Sequence, residues 1–534
     1  MDRMISPLER ARLQYRPVVP RVLAGGVATV ALAEGTGTSS RADAKAIGTA
    51  FPDLFGAPPV RFAAGTAAGP GRPLTVGVVL SGGQAPGGHN VITGLYDALV
   101  EGHGDSRLIG FLGGPRGIIE DNHRELTPGE IDAHRNTGGF DLIGSGRDKI
   151  ETPAQLAACS ETASRLGLDG VVVIGGDDSN TNAATLAQYF VSNSQPTVVV
   201  GAPKTIDGDL KGGGIEASFG FDTATKVYAE LIGNVERDAR SARKYWHFIK
   251  LMGRSASHVT LECALSTRPN LALIGEEIRA QGWTLAQLTD RIATVVRDRA
   301  AAGRPYGVCL VPEGLIEFLP EIGALIDETN RLLAEGVEGS ALAGRLTAPS
   351  AAAFAALPER IREQLLLKRD SHGNVQVSRI DTEALLIDTV GRQLEGWFQT
   401  QHHFFGYEGR CAAPSNFDAN YTAALGQTAA LLIAHGKTGY VCCVGNLANP
   451  ASEWTAGGLP LTSLMQMEIR KGQPTPVIAK ALVDLSGAPF SEFAQHRESW
   501  AREDAYVYPG PIQYFGPEEI TDRTTVTLQL EDGP

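Results

Sequence analysis

Short, almost wholly apolar runs recur along the chain, each stopped by glycine and followed by apolar residues at helical spacing. TVGVVL (75–80) leads through SGGQAPGGHN into VITGLYDALVEG, and RLIGFL leads to GGPRG. GVVVIGG leads to DDSNTNAATLAQYF, and PTVVVGAP leads to KTIDGD. YGVCLVPEG and TGYVCCVGN repeat the pattern further on. A strand apolar at every position is covered on both faces, which is the mark of a parallel sheet between helices. The pattern therefore predicts an α/β doubly wound fold, and several such units over roughly 400 residues predict two sheets.

The texture differs in three places. Residues 1–72 open on a helical pattern and turn Gly/Ala/Pro-rich, ending AAGPGRPL, which reads as an extension with a linker. Between about 315 and 400, EIGALIDETNRLLAEG and PERIREQLLLKRD carry Ala, Leu, Glu and Arg at helical spacing and predict a helical insert. The alternation in TDRTTVTLQLEDGP predicts one last strand before an acidic tail.

The bulk numbers narrow the function classes. The chain has 534 residues, enough for two or more domains, with 43% hydrophobic and 20% charged residues. A formal net charge of −13 argues against nucleic-acid or acidic-membrane partners. No apolar run approaches the roughly 18–20 residues of a membrane span. The first residues lack the apolar core of a secretory signal, so a cytoplasmic protein is expected. Six scattered cysteines with no CxxC pair predict neither a disulfide framework nor a zinc site, and Cys442 and Cys443 read as part of a buried strand.

Ligands of open parallel sheets bind outside the carboxyl ends of the strands, where all the glycine turns above lie. SGGQAPGGHN offers backbone amides at a helix start without bulky side chains, an arrangement suited to phosphate oxygens. Neither GxxxxGK[ST] nor GxGxxG occurs, so an ordinary P-loop or dinucleotide site is not expected. GGDDS brings Asp177 and Asp178, and PKTIDGD brings Lys204, Thr205, Asp207 and Asp209. Four carboxylates at two strand ends repel each other unless a cation or a proton intervenes. Mg²⁺ is the natural cation, because one or two carboxylates plus substrate phosphates hold it. Carboxylates, a metal, glycine turns and a lysine together are the parts of a phosphoryl-transfer site. Arg254 in MGR and Arg410 in GYEGR suit phosphate anchors, while Glu313 in PEG and Tyr407 suit sugar hydroxyls.

In this order, SGGQAPGGHN, GGDDS, PKTIDGD, MGR, PEG and GYEGR resemble the phosphofructokinase family, and within it the long pyrophosphate-dependent 6-phosphofructokinases. The resemblance runs over roughly residues 74 to 480. It implies two Rossmann-like lobes with a helical insert and an N-terminal extension. The division expected is an N-terminal extension 1–73, a donor and metal lobe 74–235, a sugar-phosphate lobe 236–413 with the insert, and a return to the first lobe with a C-terminal extension over 414–534. It implies reversible phosphoryl transfer from pyrophosphate to the C1 hydroxyl of fructose 6-phosphate, in glycolysis and gluconeogenesis. Asp207 matches the base that deprotonates the hydroxyl, Asp177 a magnesium ligand with Asp209 helping, and Gly82 and Gly83 the donor loop. Thr205, Met252, Gly253, Arg254, Glu313, Tyr407 and Arg410 match the sugar-phosphate pocket. Lys244 and Tyr245 match a pair contributed across a subunit interface, which implies a homodimer. Thr137 stands where ATP-using relatives carry a basic residue, and Arg147 remains as a candidate donor-phosphate contact.

The doubled aspartate follows from the same resemblance. ATP-using members carry glycine after the metal-binding aspartate, which leaves space for the nucleotide's α-phosphate. Asp178 fills that space with a negative side chain, and Lys204 replaces a small residue and brings a cation toward the transferring or leaving phosphate. The alternatives are an ATP-dependent phosphofructokinase, disfavoured by Asp178 and Lys204, and a non-catalytic regulatory subunit, which would have lost metal and base aspartates. An NAD or lipid kinase would share the GGD turn but not PKTIDGD with MGR and PEG.

Overall fold

Six of the apolar runs are strands in the computed structural model. It describes residues 5–26, 30–65, 71–337, 340–366, 375–394, 396–470 and 473–533. The expected linker at 66–70 and the last residues of PERIREQLLLKRD at 367–370 lie outside the described residues. A nine-stranded sheet is centred on β3 (Thr75–Leu80), β6 (Gly170–Gly175), β7 (Val198–Pro203) and β12 (Tyr440–Gly445), all mutually parallel. Every residue of β6 and β7 is buried, as expected for strands covered on both faces. β4 (Arg107–Phe111) and the short antiparallel β5 (His123–Glu125) complete one edge. β11 (Thr400–Phe405), β8 (Trp246–Leu251), β10 (Gly307–Pro312) and β9 (Leu271–Ala272) form, in that order, a second, fully parallel sheet.

The other edge of the large sheet draws on the N-terminal segment. β1 (Val30–Glu34) and β2 (Val60–Ala64) pair with each other and then with β13 (Thr455–Pro460), all antiparallel. The extension thus contributes two strands to the sheet. Its alanine-rich strands, ALAE and RFAA, lack the β-branched run that announced the others.

Helices Pro320–Ala334, Ala348–Ala356, Glu359–Leu366 and Thr382–Gly391 are the longer elements of the insert between β10 and β11. The chain then returns to the first sheet through the helix Asn416–Ala434, which lies on the helix Gly88–Gly102. A Cβ on Gly94 would stand 2.4 Å from the Ala423 carbonyl, and one on Gly426 2.2 Å from that of Val91, so only glycine permits this approach. Afterwards the chain crosses again. Helix Ala488–Arg502 packs by the second sheet, where Arg497 pairs with Glu277 at 2.6 and 2.7 Å. Residues 414–534 therefore serve both lobes.

The expected C-terminal strand is instead the helix Val526–Asp532. The reason is tertiary. The buried Glu262 carboxylate accepts the amides of Val526 and Thr527 at 2.7 Å each, an anion set at a helix start. No helix among the described residues is long and apolar enough to cross a membrane. Cys442 is buried in β12 and Cys443 half-buried beside it.

Candidate active site

The carboxyl ends of β3, β6 and β7 meet at one place. After β3, Gly82 turns with φ +85°, a region that favours glycine, and its amide donates to the Gly146 carbonyl at 2.8 Å. After β6, Gly176 opens the helix Asp177–Ser192, and Ser179 Oγ reaches Ser81 Oγ at 2.8 Å. The donor loop and the aspartate turn are thereby joined. After β7, Lys204 is 7% exposed and its ammonium donates to the Gly83 carbonyl at 2.7 Å. A Cβ on Gly82 would sit 3.3 Å from that Nζ, so the loop's small residues give the ammonium its room.

Two further cations stand at the same loop. The position a Gly83 Cβ would take is 3.6 Å from Arg410 Nη1 and 4.0 Å from Arg147 Nη2, and Arg410 bonds the Gln84 side chain. The sequence reading placed Arg410 with the sugar phosphate. Its guanidinium stands 5.0 Å over the exposed Tyr407 ring and also beside Gly83, so it borders both groups of residues. Arg147 stands with it.

Three aspartates face these cations. Burial, then the neighbouring Asp207 and Asp177, push the buried Asp209 carboxyl up to about 7. Asp177 Oδ2 is buried without a hydrogen-bond partner, and Lys480 approaches that oxygen at 3.7 Å. Among the described residues, no three His, Cys, Asp or Glu side chains converge closely enough to enclose a metal by themselves. An unbonded buried carboxylate oxygen beside two further carboxylates does fit Mg²⁺, which takes few protein ligands and leaves the rest to phosphate and water. Burial also lowers Lys204 to about 8, although Asp207 and Asp177 support its charge. The ammonium is therefore lost as pH rises through about 8 in the free protein. Hence kcat/KM for an anionic donor should fall above that pH, once the donor's own ionisation is corrected. Lys204→Met should leave a low, flat profile over the same range; a limb near 8 that survives the substitution would assign it to another group.

The remaining candidate residues come from the second sheet. β8 is followed directly by Met252, Gly253 and Arg254, and β10 by Glu313. Gly253 donates its amide to Glu313 Oε2 at 3.2 Å, and Arg254 donates its amide to Asp207 Oδ2 at 3.4 Å. That last bond joins the loops of the two sheets at Asp207. Thr205 Oγ1 accepts the Asp207 amide at 3.0 Å and fixes the turn. Burial pushes Glu313 up to about 7, so near neutrality it can either donate to or accept from a hydroxyl. Met252 lies against Gly406, just before Tyr407, where a Cβ would be 2.8 Å from Cε.

Lys244 and Tyr245 are not brought to this site. They precede β8, six residues before its end, which at strand rise is roughly 20 Å away. There Lys244 Nζ lies 4.8 Å over the Tyr245 ring. A cavity of about 880 Å³ lined by Leu271, Trp283, Arg291 and Arg497 shares no residue with the site, and none of the chemistry above reaches it.

Two cations escaped the sequence reading. Arg470 pairs with Asp178, and Lys480 approaches Asp177. The partners in the first pair are 292 residues apart, and nothing in MEIRKGQPTPVIAK marks it as facing a donor loop.

The phosphofructokinase family pattern matches residues 75–433. The chain is 54% identical over 557 residues to the pyrophosphate–fructose 6-phosphate 1-phosphotransferase of Treponema pallidum (strain Nichols), covering 99% of this chain and 97% of that protein. It is 51% identical over 545 residues to the protein of the same name from Porphyromonas gingivalis, covering 98% and 99%. Among solved structures, it resembles the pyrophosphate-dependent phosphofructokinase of Nitrosospira multiformis with a TM-score of 0.55 at 16% identity, over 85% of this chain and 97% of that one. At that identity the likeness concerns the fold alone.

Proposed function

The chain belongs to the phosphofructokinase family, and we propose that it transfers a phosphoryl group from pyrophosphate to the C1 hydroxyl of fructose 6-phosphate, giving fructose 1,6-bisphosphate and orthophosphate. The observation that carries this reading is the buried Lys204 ammonium bonded to the donor loop beside Asp177 and Asp207, in a chain whose near relatives are named for this activity. Asp207 takes the hydroxyl proton as the C1 oxygen attacks phosphorus, and the bond to the bridging oxygen breaks to release orthophosphate. Lys204, with Arg147 and Arg410 at the Gly82–Gly83 loop, meets the charge gathering on the leaving phosphate. Mg²⁺, held by Asp177 and Asp209 together with the donor, would neutralise the donor's phosphates.

On this reading residues 74–235 form the donor lobe and residues 236–413 the acceptor lobe. Thr205, Met252, Gly253, Arg254, Glu313 and Tyr407 line the fructose 6-phosphate side. Lys244 and Tyr245, far from their own chain's site, serve the site of a second copy in a homodimer. The enzyme works in the cytoplasm, on sugar phosphates of glycolysis and gluconeogenesis.

Arg254→Ala should raise KM for fructose 6-phosphate by about tenfold or more while kcat changes little, as for loss of uniform binding. Arg410→Ala, placed between the two halves, should raise KM for both substrates. An effect of Arg410→Ala confined to the sugar would return that residue to the acceptor pocket alone. The reaction exchanges a phosphoanhydride for a phosphate ester and is expected to run both ways. Mixing fructose 1,6-bisphosphate, orthophosphate and Mg²⁺ with the protein should therefore yield pyrophosphate, followed by phosphorus NMR. A strictly one-way enzyme would contradict the reading.

A further inference from the structure

One hairpin delivers a cation to each of the paired aspartates. β14 (Met465–Arg470) and β15 (Gln473–Ile478) run antiparallel, with Arg470 opposite Gln473. The hairpin lies on the helix Asp177–Ser192, where the Ile478 amide donates to Thr181 Oγ1 at 3.1 Å. Its first strand is held by the N-terminal segment: the Arg41 amide donates to the Met465 carbonyl at 3.0 Å, and the Met467 amide to Asp43 Oδ2 at 2.9 Å. At the end of that strand Arg470 Nη1 pairs with the Asp178 carboxylate, and its Nη2 stands 3.5 Å from Glu468. Just past the second strand, Lys480 Nζ is 3.7 Å from Asp177 Oδ2 and 2.8 Å from Ser255 Oγ.

The pairing changes what Asp178 can do. Asp178 adjoins Ser179, whose hydroxyl is bonded to the donor loop at Ser81. An uncompensated carboxylate there would repel pyrophosphate as well as ATP, since both are polyanions. Bound to a guanidinium, the carboxylate keeps its volume and its position while most of its field is cancelled. Both side chains are partly exposed, 23% for Arg470 and 39% for Asp178, so solvent weakens the pair without removing it. We propose that Arg470 is a positioning residue for donor choice: it fixes the Asp178 side chain beside the donor loop and cancels its charge, so that the site rejects a nucleotide by volume and still accepts the compact anion. This rests on the assignment of pyrophosphate as donor.

The test is steady-state kinetics with pyrophosphate and fructose 6-phosphate on the wild type, Arg470→Met, Arg470→Lys, Asp178→Asn and the Arg470→Met/Asp178→Asn double variant. Arg470→Met should raise KM for pyrophosphate by about tenfold and leave KM for fructose 6-phosphate within about twofold. Arg470→Lys should restore KM for pyrophosphate to within about threefold of wild type, because the charge returns without the second nitrogen that reaches Glu468. In the Asp178→Asn background, adding Arg470→Met should change KM for pyrophosphate by less than about twofold, since the Asp178 charge beside the donor is already gone and Glu468 remains in both. An equal penalty in both backgrounds, or an equal shift for both substrates, would overturn the proposal. Should Arg470→Met not fold, Arg470→Gln replaces it against Arg470→Lys, and equal KM values for pyrophosphate in those two would overturn it as well. A wild type active only with ATP would sink the donor assignment itself, and that outcome is visible before any variant is made.

Discussion

Asp207→Ala is expected to lower kcat by about 10²–10⁴-fold, with KM for fructose 6-phosphate changed by less than about threefold. A thousandfold loss corresponds to about 4 kcal/mol of transition-state stabilisation, within reach of a single positioned base. The geometry favours this residue over its neighbours. Asp207 accepts the Arg254 amide from the loop after β8, between the two sheets, whereas Asp209 is buried. The substitution removes no packing of note, because Asp207 is only half-buried and its amide bond to Thr205 belongs to the backbone. Steady-state rates at saturating substrate decide the matter. A loss confined to KM would make Asp207 a binding residue and place the base elsewhere.

Asp178→Gly should give measurable phosphoryl transfer from ATP while lowering kcat/KM for pyrophosphate. On the proposed reading the side chain fills space beside the donor loop, and its removal opens that space. It also releases Arg470 from its carboxylate and leaves a guanidinium facing the opening, a ready contact for an additional phosphate. Glycine in the first turn of the helix Asp177–Ser192 costs about 1 kcal/mol, too little to unfold a protein of ordinary stability. Adding Lys204→Gly should lower pyrophosphate turnover further, because the buried ammonium at Gly83 is gone. The two effects should not add, since both side chains act on one donor site. The comparison is kcat/KM for each donor in all four combinations of the two positions. ATP use that stays undetectable while pyrophosphate use is intact would mean that Asp178 is not the filter.

How far the sequence carried the fold depended on where each element is buried. β3, β6, β7, β10 and β12 were legible because both faces of a central parallel strand must be apolar, which leaves an unbroken run. β1 and β2 were not, because short strands at and next to the sheet's edge, with exposed and alanine positions in place of a β-branched run, carry little of that signal. The final helix was misread because its alternating TVTLQL fits a strand, and only Glu262, far away in sequence, holds the helix start. The site divided along similar lines. Asp177, Asp207, Asp209, Lys204 and the glycine turns sit directly at strand ends, so position along the chain already placed them near one another. Arg470, Lys480 and the reach of Arg410 to Gly83 depend on how a hairpin and a loop fold back over the sheet. No local pattern encodes that.

The central claim is the choice of donor, and one assay addresses it directly. Formation of fructose 1,6-bisphosphate from fructose 6-phosphate is followed through a coupled enzyme, with pyrophosphate or ATP, each with and without Mg²⁺. The account predicts turnover with pyrophosphate and Mg²⁺, none on chelation of the metal, and at least about a hundredfold lower kcat/KM with ATP, the order of discrimination that a steric block at a polar site supplies. Turnover with ATP and none with pyrophosphate would contradict it.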